Sequence, residues 1–440
     1  MSIAVVGAGW AGLAAAHALL RAGRQVHVYE AAAQPGGRAR PIEHPTLGVP
    51  LDNGQHVLLG AYHATLDLMR TLGIDPAHAC HVQPLRLASA DRALRLNFWP
   101  LPAPAHRLGV LLGSHGLDGW RGRRHLGRVM RALNPERIAA HETVQDWLCA
   151  LDCPPTLLSS LWAPLCLAAC NTPIAQADAR IFARVLRDSL GARAPDSHLY
   201  IPRTRLHALW PAQVCAQLGA RLRRQRVQCI EQERHARSDG APGAWRVDGE
   251  RYDQVILAVP AYEAQRLLAS LPGANGYLNR WPAWQYAAIG TVTLRLRAPW
   301  HSGQAMSLLW DDPARNAWGQ WCFDRSVSAA PGPEQHLAHV VISGAERYAN
   351  CDAQAVIEGT VAQLRAQARR PLPAIDAQAL VTEKRATFLL TPGLARPQTR
   401  TPWAGLLLAG DWTDTGYPAV LEGAVRSGQG AAALALAAPA

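Results

Sequence analysis

The chain has 440 residues, 49% of them hydrophobic, which exceeds the ~250–300 residues at which a single core stops growing and implies two domains or one large interleaved one. Its net charge of +11 rests on arginine, Lys384 being the only lysine, and no nucleic-acid recognition motif accompanies it. The nine cysteines lack the close, paired spacing of a metal site, so no metal is expected, and Cys149/Cys153 and Cys166/Cys170 read as reduced thiols.

Ile3 to Val6 is a β-branched and apolar run, expected as a buried strand. Gly7, Gly9 and Gly12 follow as G-x-G-x-x-G, and Leu13 to Leu20 continues as an Ala/Leu helix. A second strand, Gln25 to Tyr29, ends at Glu30. Gly7 permits a tight turn, Gly9 admits a pyrophosphate to the backbone, and Gly12 lets helix and strand pack closely. The helix N-terminus then offers free N–H groups and a positive dipole end to phosphate. Glu30 stands 18 residues beyond Gly12, close to the ~20 expected for a carboxylate on a ribose hydroxyl. With Ala8, Trp10 and Ala11 between the glycines, this whole loop is a candidate dinucleotide site.

Pro35-Gly36-Gly37-Arg38 comes next, where two glycines and an arginine suit close backbone approach and a charge-assisted contact to phosphate. In Leu51-Asp52-Asn53-Gly54-Gln55-His56, Gly54 again permits close approach to a flat ring. Residues 98–118 are rich in proline and apolar side chains and read as a loop or domain crossing. Residues 120–195 read as helical, broken at Pro135, Pro154/Pro155, Pro164 and Pro173. Strands are expected at Arg226–Glu231, Ala244–Asp248 and Gln254–Val259, with a glycine-bearing turn at Asp239–Gly243. Short tryptophan-studded strands fill 280–345, a helix runs from about Asp352 to Arg369, and Gly405–Gly410 is one more buried strand. After it, Gly410-Asp411 suits a carboxylate on sugar-chain hydroxyls. A final helix starting near Val420 and Leu421 would aim N–H groups at an electron-rich carbonyl.

The basic segments Arg121–Arg131 and Arg221–Arg226 fit either a solvated face or attraction to an anionic membrane surface, the latter with residues 98–113 as an interfacial patch. A motif beginning at residue 3 leaves no room for a cleaved signal peptide, and no stretch reaches the ~18 apolar residues of a spanning helix, so a cytoplasmic protein is expected.

Taken together, these segments resemble the FAD-dependent amine oxidase and phytoene desaturase superfamily, in the order which that superfamily uses. Gly7, Gly9, Gly12, Glu30, Gly37 and Arg38 match its adenosine and pyrophosphate positions, Gly54, Gln55 and His56 its ring-facing segment, and Gly410, Asp411, Val420 and Leu421 its C-terminal flavin segment. Val227 matches, more loosely, a backbone contact to adenine. LDNGQHVLLGAY (51–62), APLCLAACNTP (163–173), RVLRDSLGA (184–192) and AGDWTDTGYPAVLEGAVRSG (409–428) narrow the resemblance to its squalene-associated branch, the hydroxysqualene dehydroxylases of bacterial hopanoid pathways. The resemblance implies an α/β fold: a Rossmann-like FAD-binding domain of amine-oxidase type with an inserted mixed α+β substrate domain. The expected division gives FAD binding to residues 1–95, 201–275 and 396–440, a helical substrate region to 96–200, and a substrate sheet and helix to 276–395.

The resemblance also implies FAD, an isoprenoid substrate (hydroxysqualene), and removal of its hydroxyl with a reduced flavin as hydride donor. The departing alcohol then needs a general acid, for which His56 is the first candidate and Asn171 and Asp188 are others. No cysteine follows Cys351, so the cofactor is expected to be non-covalent. Lys384 lies too near the C-terminal motif to be the lysine of true amine oxidases. An oxidative enzyme of the same fold (a carotenoid-type desaturase or an amine oxidase) and a non-catalytic isoprenoid-binding protein are the competing readings.

Overall fold

The computed structural model describes residues 1–97, 112–191, 193–233 and 244–437. The turn expected at Asp239–Gly243 and most of the apolar stretch at 98–118 lie outside these residues. The first strand, β1 (Ser2–Val6), is buried along Ile3–Val6, as a strand covered on both faces of a parallel sheet must be. It runs into α1 (Trp10–Arg21), and β2 (Gln25–Tyr29) returns beside it in parallel. Helix α2 (His63–Thr71) follows the 51–62 segment.

A helical layer comes next, including α3 (Gly119–Arg131), α4 (Ala163–Cys170) and α5 (Ala179–Leu186). Pro164 falls just after a π-helical turn, Leu158–Trp162, that runs directly into α4. A single π-helical turn, Arg187–Gly191, extends α5. The strands β3 (Leu222–Arg223) and β4 (Gln254–Leu257) then rejoin the first sheet. Between them, Ile230–Gln232 and Trp245–Val247 pair antiparallel as part of a three-stranded meander.

The second sheet is antiparallel and built from β5 (Tyr286–Leu296), β6 (Met306–Leu308), β7 (Trp321–Asp324), β8 (Leu337–Ser343) and β9 (Ile375–Phe388), in the order β6-β7-β8-β5-β9. Helix α6 (Ala353–Gln367) is capped by the Asp352 carboxylate and packs Val356, Val361 and Leu364 against β5 and β8. The alternating sequence of β9 carries polar residues on one face, and the sequence reading assigns it no element. Its partner β5 is a long strand of 11 residues where short ones are expected.

The last strand, β10 (Leu406–Leu408), completes the parallel sheet in the order β3-β2-β1-β4-β10. The nucleotide sheet therefore draws on chain segments from residue 2 to residue 408. Helix α7 (Leu421–Ala437) then lies along α1. The two approach backbone to backbone: a Cβ on Gly428 would fall 2.0 Å from the carbonyl oxygen of Ala11.

Glu422, at the start of α7, has no solvent exposure. Its carboxylate accepts from the backbone N–H groups of Ala64 and Thr65 (both 3.0 Å), from the Thr65 hydroxyl (2.8 Å) and from Arg426 (2.7 Å). It thus caps the N-terminus of α2, where a negative charge is favoured, and joins the segment after His56 to the last helix of the chain. Glu422→Gln keeps the shape and loses the charge-assisted acceptor. It is expected to cost about 1–3 kcal/mol of stability, read as a lower urea midpoint at unchanged slope.

Candidate active site

A cavity of about 1150 Å³ runs from the glycine loop of β1–α1 to the helical layer and the inner face of the second sheet. Ordinary small-ligand pockets hold ~300–1,000 Å³, so this one has room for a dinucleotide and a second molecule. Gly7, Gly9, Trp10, Ala11, Glu30, Gly37, Arg38, Gly54, Gln55, His56, Val227, Gly410, Asp411, Val420 and Leu421 all line it. Ala8 and Gly12 stand behind the wall. The Ala8 N–H donates to Glu30 Oε2 (2.8 Å), and a Cβ on Gly12 would fall 1.9 Å from the Gly7 carbonyl oxygen.

At the dinucleotide end, the N–H groups of Ala8 and Ala32 fix the two oxygens of Glu30, each at 2.8 Å. The first intrahelical bond of α1 is Leu13 N–H to Gly9 O, so the preceding N–H groups have no partner within the helix. A Cβ built on Gly9 would meet only Gly37 Cα, at 3.8 Å, and the Gly36 N–H donates to the Ala8 carbonyl (2.8 Å), so the two glycine segments lie against each other along one wall of the cleft. Arg38 lines the cavity and donates to Asp411 Oδ1 (2.5 Å) and to the Ala386 carbonyl (2.7 Å), which leaves further N–H groups of its guanidinium unspent. The Asp411 charge holds the guanidinium protonated against the cost of its burial. The anion-binding groups at the cleft are the backbone N–H groups, the α1 dipole and the remaining Arg38 N–H groups, while Arg38–Asp411 ties the first glycine segment to the segment after the last strand.

At the other end, α7 presents its N-terminus to the cavity through Val420 and Leu421. His56 Nδ1 lies 3.0 Å from the Gly54 carbonyl oxygen; that oxygen only accepts, so Nδ1 carries the hydrogen and Nε2 is the free acceptor. Burial lowers the pKa of this ring, and nearby Arg38 lowers it further, which keeps it neutral. Asn171 donates to Thr387 Oγ1 (2.9 Å) and accepts from Gly344 N–H, so both ends of its amide are spent on structure.

Asp188, on the π-helical turn, accepts from the Tyr417 hydroxyl at 2.7 Å, and Arg187 Nε lies 3.2 Å from its other oxygen. Burial and the Asp188 carboxylate push the Tyr417 phenol up to about 12. Both residues line the cavity where its walls turn apolar, with Leu161, Leu165, Phe182, Val185 and Phe323 nearby. Tyr417 is a residue that sequence reasoning passes over. Its signal was a lone phenol between the glycine and proline of Gly416-Tyr417-Pro418. Lys384, set aside from sequence, stands exposed on β9 at the cavity's rim.

Behind His56 lies a separate polar pocket of about 20 Å³, room for one water, lined by Asp52, Gln55, Arg325, Glu334 and His339. Burial pushes Asp52 up to about 7 although both its oxygens accept from Leu206 N–H.

The model of the flavin containing amine oxidoreductase family matches residues 10–118 and 199–436. The chain belongs to that family. Among curated relatives it is 33% identical to a hydroxysqualene dehydroxylase of Rhodopseudomonas palustris over 99% of both chains. It is 28% identical to one of Zymomonas mobilis over 98% of both. Solved structures of similar fold include a cyclohexylamine oxidase from Brevibacterium oxydans (TM-score 0.66, 18% identity, covering 99% of this chain and 98% of that one) and a putrescine oxidase (TM-score 0.69, 16% identity, covering both chains fully). At such identities the structures speak for the fold alone. The family and its full-length relatives make this chain an FAD-dependent oxidoreductase.

Two outcomes follow from the geometry. Gly9→Val fills the cleft, and is expected to leave a folded protein that purifies without flavin absorbance. Folded Asp52 keeps its proton up to about pH 7, while the unfolded chain releases it near ~3.9, so the unfolded state binds fewer protons across that window and stability falls as pH rises through it. Asp52→Asn is therefore expected to be more stable than wild type at about pH 8, with the advantage gone by about pH 4, in thermal unfolding followed across pH.

Proposed function

We propose that the protein reductively removes the hydroxyl of hydroxysqualene to give squalene. The observation that carries this reading is the continuity of the cofactor cleft with a large, mostly apolar cavity end that holds one ionisable pair, Asp188–Tyr417, at its entrance. The names of relatives similar over their whole length point the same way. Glu30, the glycine backbones and the α1 N-terminus would hold the adenosine and pyrophosphate of FAD, and Gly54, His56 and the N-terminus of α7 would lie toward its isoalloxazine.

In the reaction the C–O bond breaks and the oxygen leaves as water with one added proton. Reduced FAD, when bound, would supply the hydride that closes the C–H bond at the allylic carbon. The chain's own residues do the rest. Tyr417, held in place by its hydrogen bond to Asp188, gives its hydroxyl proton to the departing oxygen and regains one from water once the product has left. This assigns the acid to Asp188–Tyr417 in preference to His56, whose neutral ring has an acceptor and no spare proton to give. Leu161, Leu165, Phe182 and Phe323 keep water from trapping the cation.

Tyr417→Phe and Asp188→Asn are expected to slow single-turnover dehydroxylation by about 10²–10⁴ with FAD content unchanged, whereas His56→Gln retains most of the rate and alters the flavin spectrum. Loss of turnover in His56→Gln alone would return the acid to His56. Anaerobic mixing tests the reaction itself. Dithionite-reduced enzyme should regain the oxidised flavin spectrum on adding hydroxysqualene, and the oxidised enzyme should not bleach. Bleaching of the oxidised enzyme by an amine or a polyene would mark an oxidative catalyst instead.

A further inference from the structure

Helix α3 has two unlike faces. Inward, Leu126 and Met130 line the apolar end of the cavity. His125 locks this face in place, with Nδ1 on the Leu151 carbonyl (3.1 Å) and Nε2 accepting from Trp162 Nε1 (2.9 Å), whose ring also lines the cavity. Outward, Trp120, Arg121, Arg124, Arg128 and Arg131 fall within one ~100° arc of the helical wheel. Trp120 is 76% exposed, and Leu112, just before the helix, is 65% exposed. Arg128 is paired with Asp152 and Arg123 donates to the Ser114 carbonyl, but Arg121 and Arg124 have no acidic partner among the described residues. From Leu112 to Arg131 the chain carries five arginines against one carboxylate, Asp118.

An exposed tryptophan beside unpaired guanidinium groups is costly to leave in water and suits a headgroup layer, where the indole sits at the interface and arginine meets phosphate. Nucleic acid would also attract the charge. It gives no place to Leu112, and no reason for the charged surface to be the outer side of the wall of an apolar cavity.

We propose that the outer face of α3 docks the protein on an anionic lipid surface, which sets the apolar end of the cavity against the bilayer. The cargo that such docking would admit rests on the dehydroxylase reading; the docking does not. No helix among the described residues is long and apolar enough to cross a membrane, so the contact is peripheral.

The test is flotation of the FAD-loaded enzyme with vesicles, one set of pure phosphatidylcholine and one containing phosphatidylglycerol, at low salt. Wild type is expected to float with the anionic vesicles only and to be released by high salt. R121E/R124E, at positions that do not line the cavity, should partition about tenfold less or weaker still while keeping its FAD, and Trp120→Ser should weaken binding at unchanged charge. Wild type remaining with the unbound fraction, or R121E/R124E floating as well as wild type, would overturn the proposal. So would binding to a short DNA duplex that R121E/R124E loses while vesicle binding is absent. None of these measurements involves turnover, so their failure leaves the dehydroxylase reading untouched, and the reverse holds too.

Discussion

The site exists because one buried carboxylate joins the two ends of the chain. Glu422 sits at the start of α7 and accepts from Ala64, Thr65 and Arg426 without any contact with water. A charge in that position is tolerable only because every oxygen is spent on a donor and a helix N-terminus lies beneath it. Through it, the turn that carries His56 and the helix that carries Val420 and Leu421 are held in one arrangement. Gly428 on Ala11 and Arg38 on Asp411 repeat the same logic further along the cleft. These contacts hold the cavity walls contributed by distant parts of the chain in one arrangement.

Charge inside the cavity is distributed to match its two tasks. Polar groups gather at the dinucleotide end, where Glu30 and free backbone N–H groups face the cleft. Toward the helical layer the walls become leucine and phenylalanine, and Asp188–Tyr417 is held where the two regions meet. A carboxylate placed there meets an apolar molecule on one side and Arg187 on the other.

Much of this was legible in the chain. The run from Ile3 to Glu30 declares strand, turn, helix and strand because every residue there obeys one local rule. Periodicity likewise marks the helix after Asp352. The long strand β9 stayed hidden since it interleaves Asp376, Glu383 and Arg385 with apolar residues, and its strand partner β5 lies some ninety residues upstream. Arg38 was read as a phosphate ligand from its place in the motif; its pairing with Asp411 spans 373 residues and leaves no local trace. A separation of 229 residues likewise hides Tyr417 from Asp188, which meet only once the helical layer has folded over the last segment. Glu422 sat within a recognised segment, but its role depends on Ala64 and Thr65, and no spacing rule connects them.

The most direct measurement follows the hydride. Enzyme reduced in heavy water carries deuterium at the exchangeable flavin position, and one turnover with unlabelled hydroxysqualene transfers it to carbon. Mass spectrometry should then find squalene bearing one deuterium, in an amount equal to the flavin oxidised. Squalene without the label, or recovery of the alcohol unchanged while the flavin stays reduced, would contradict a hydride-transfer dehydroxylase.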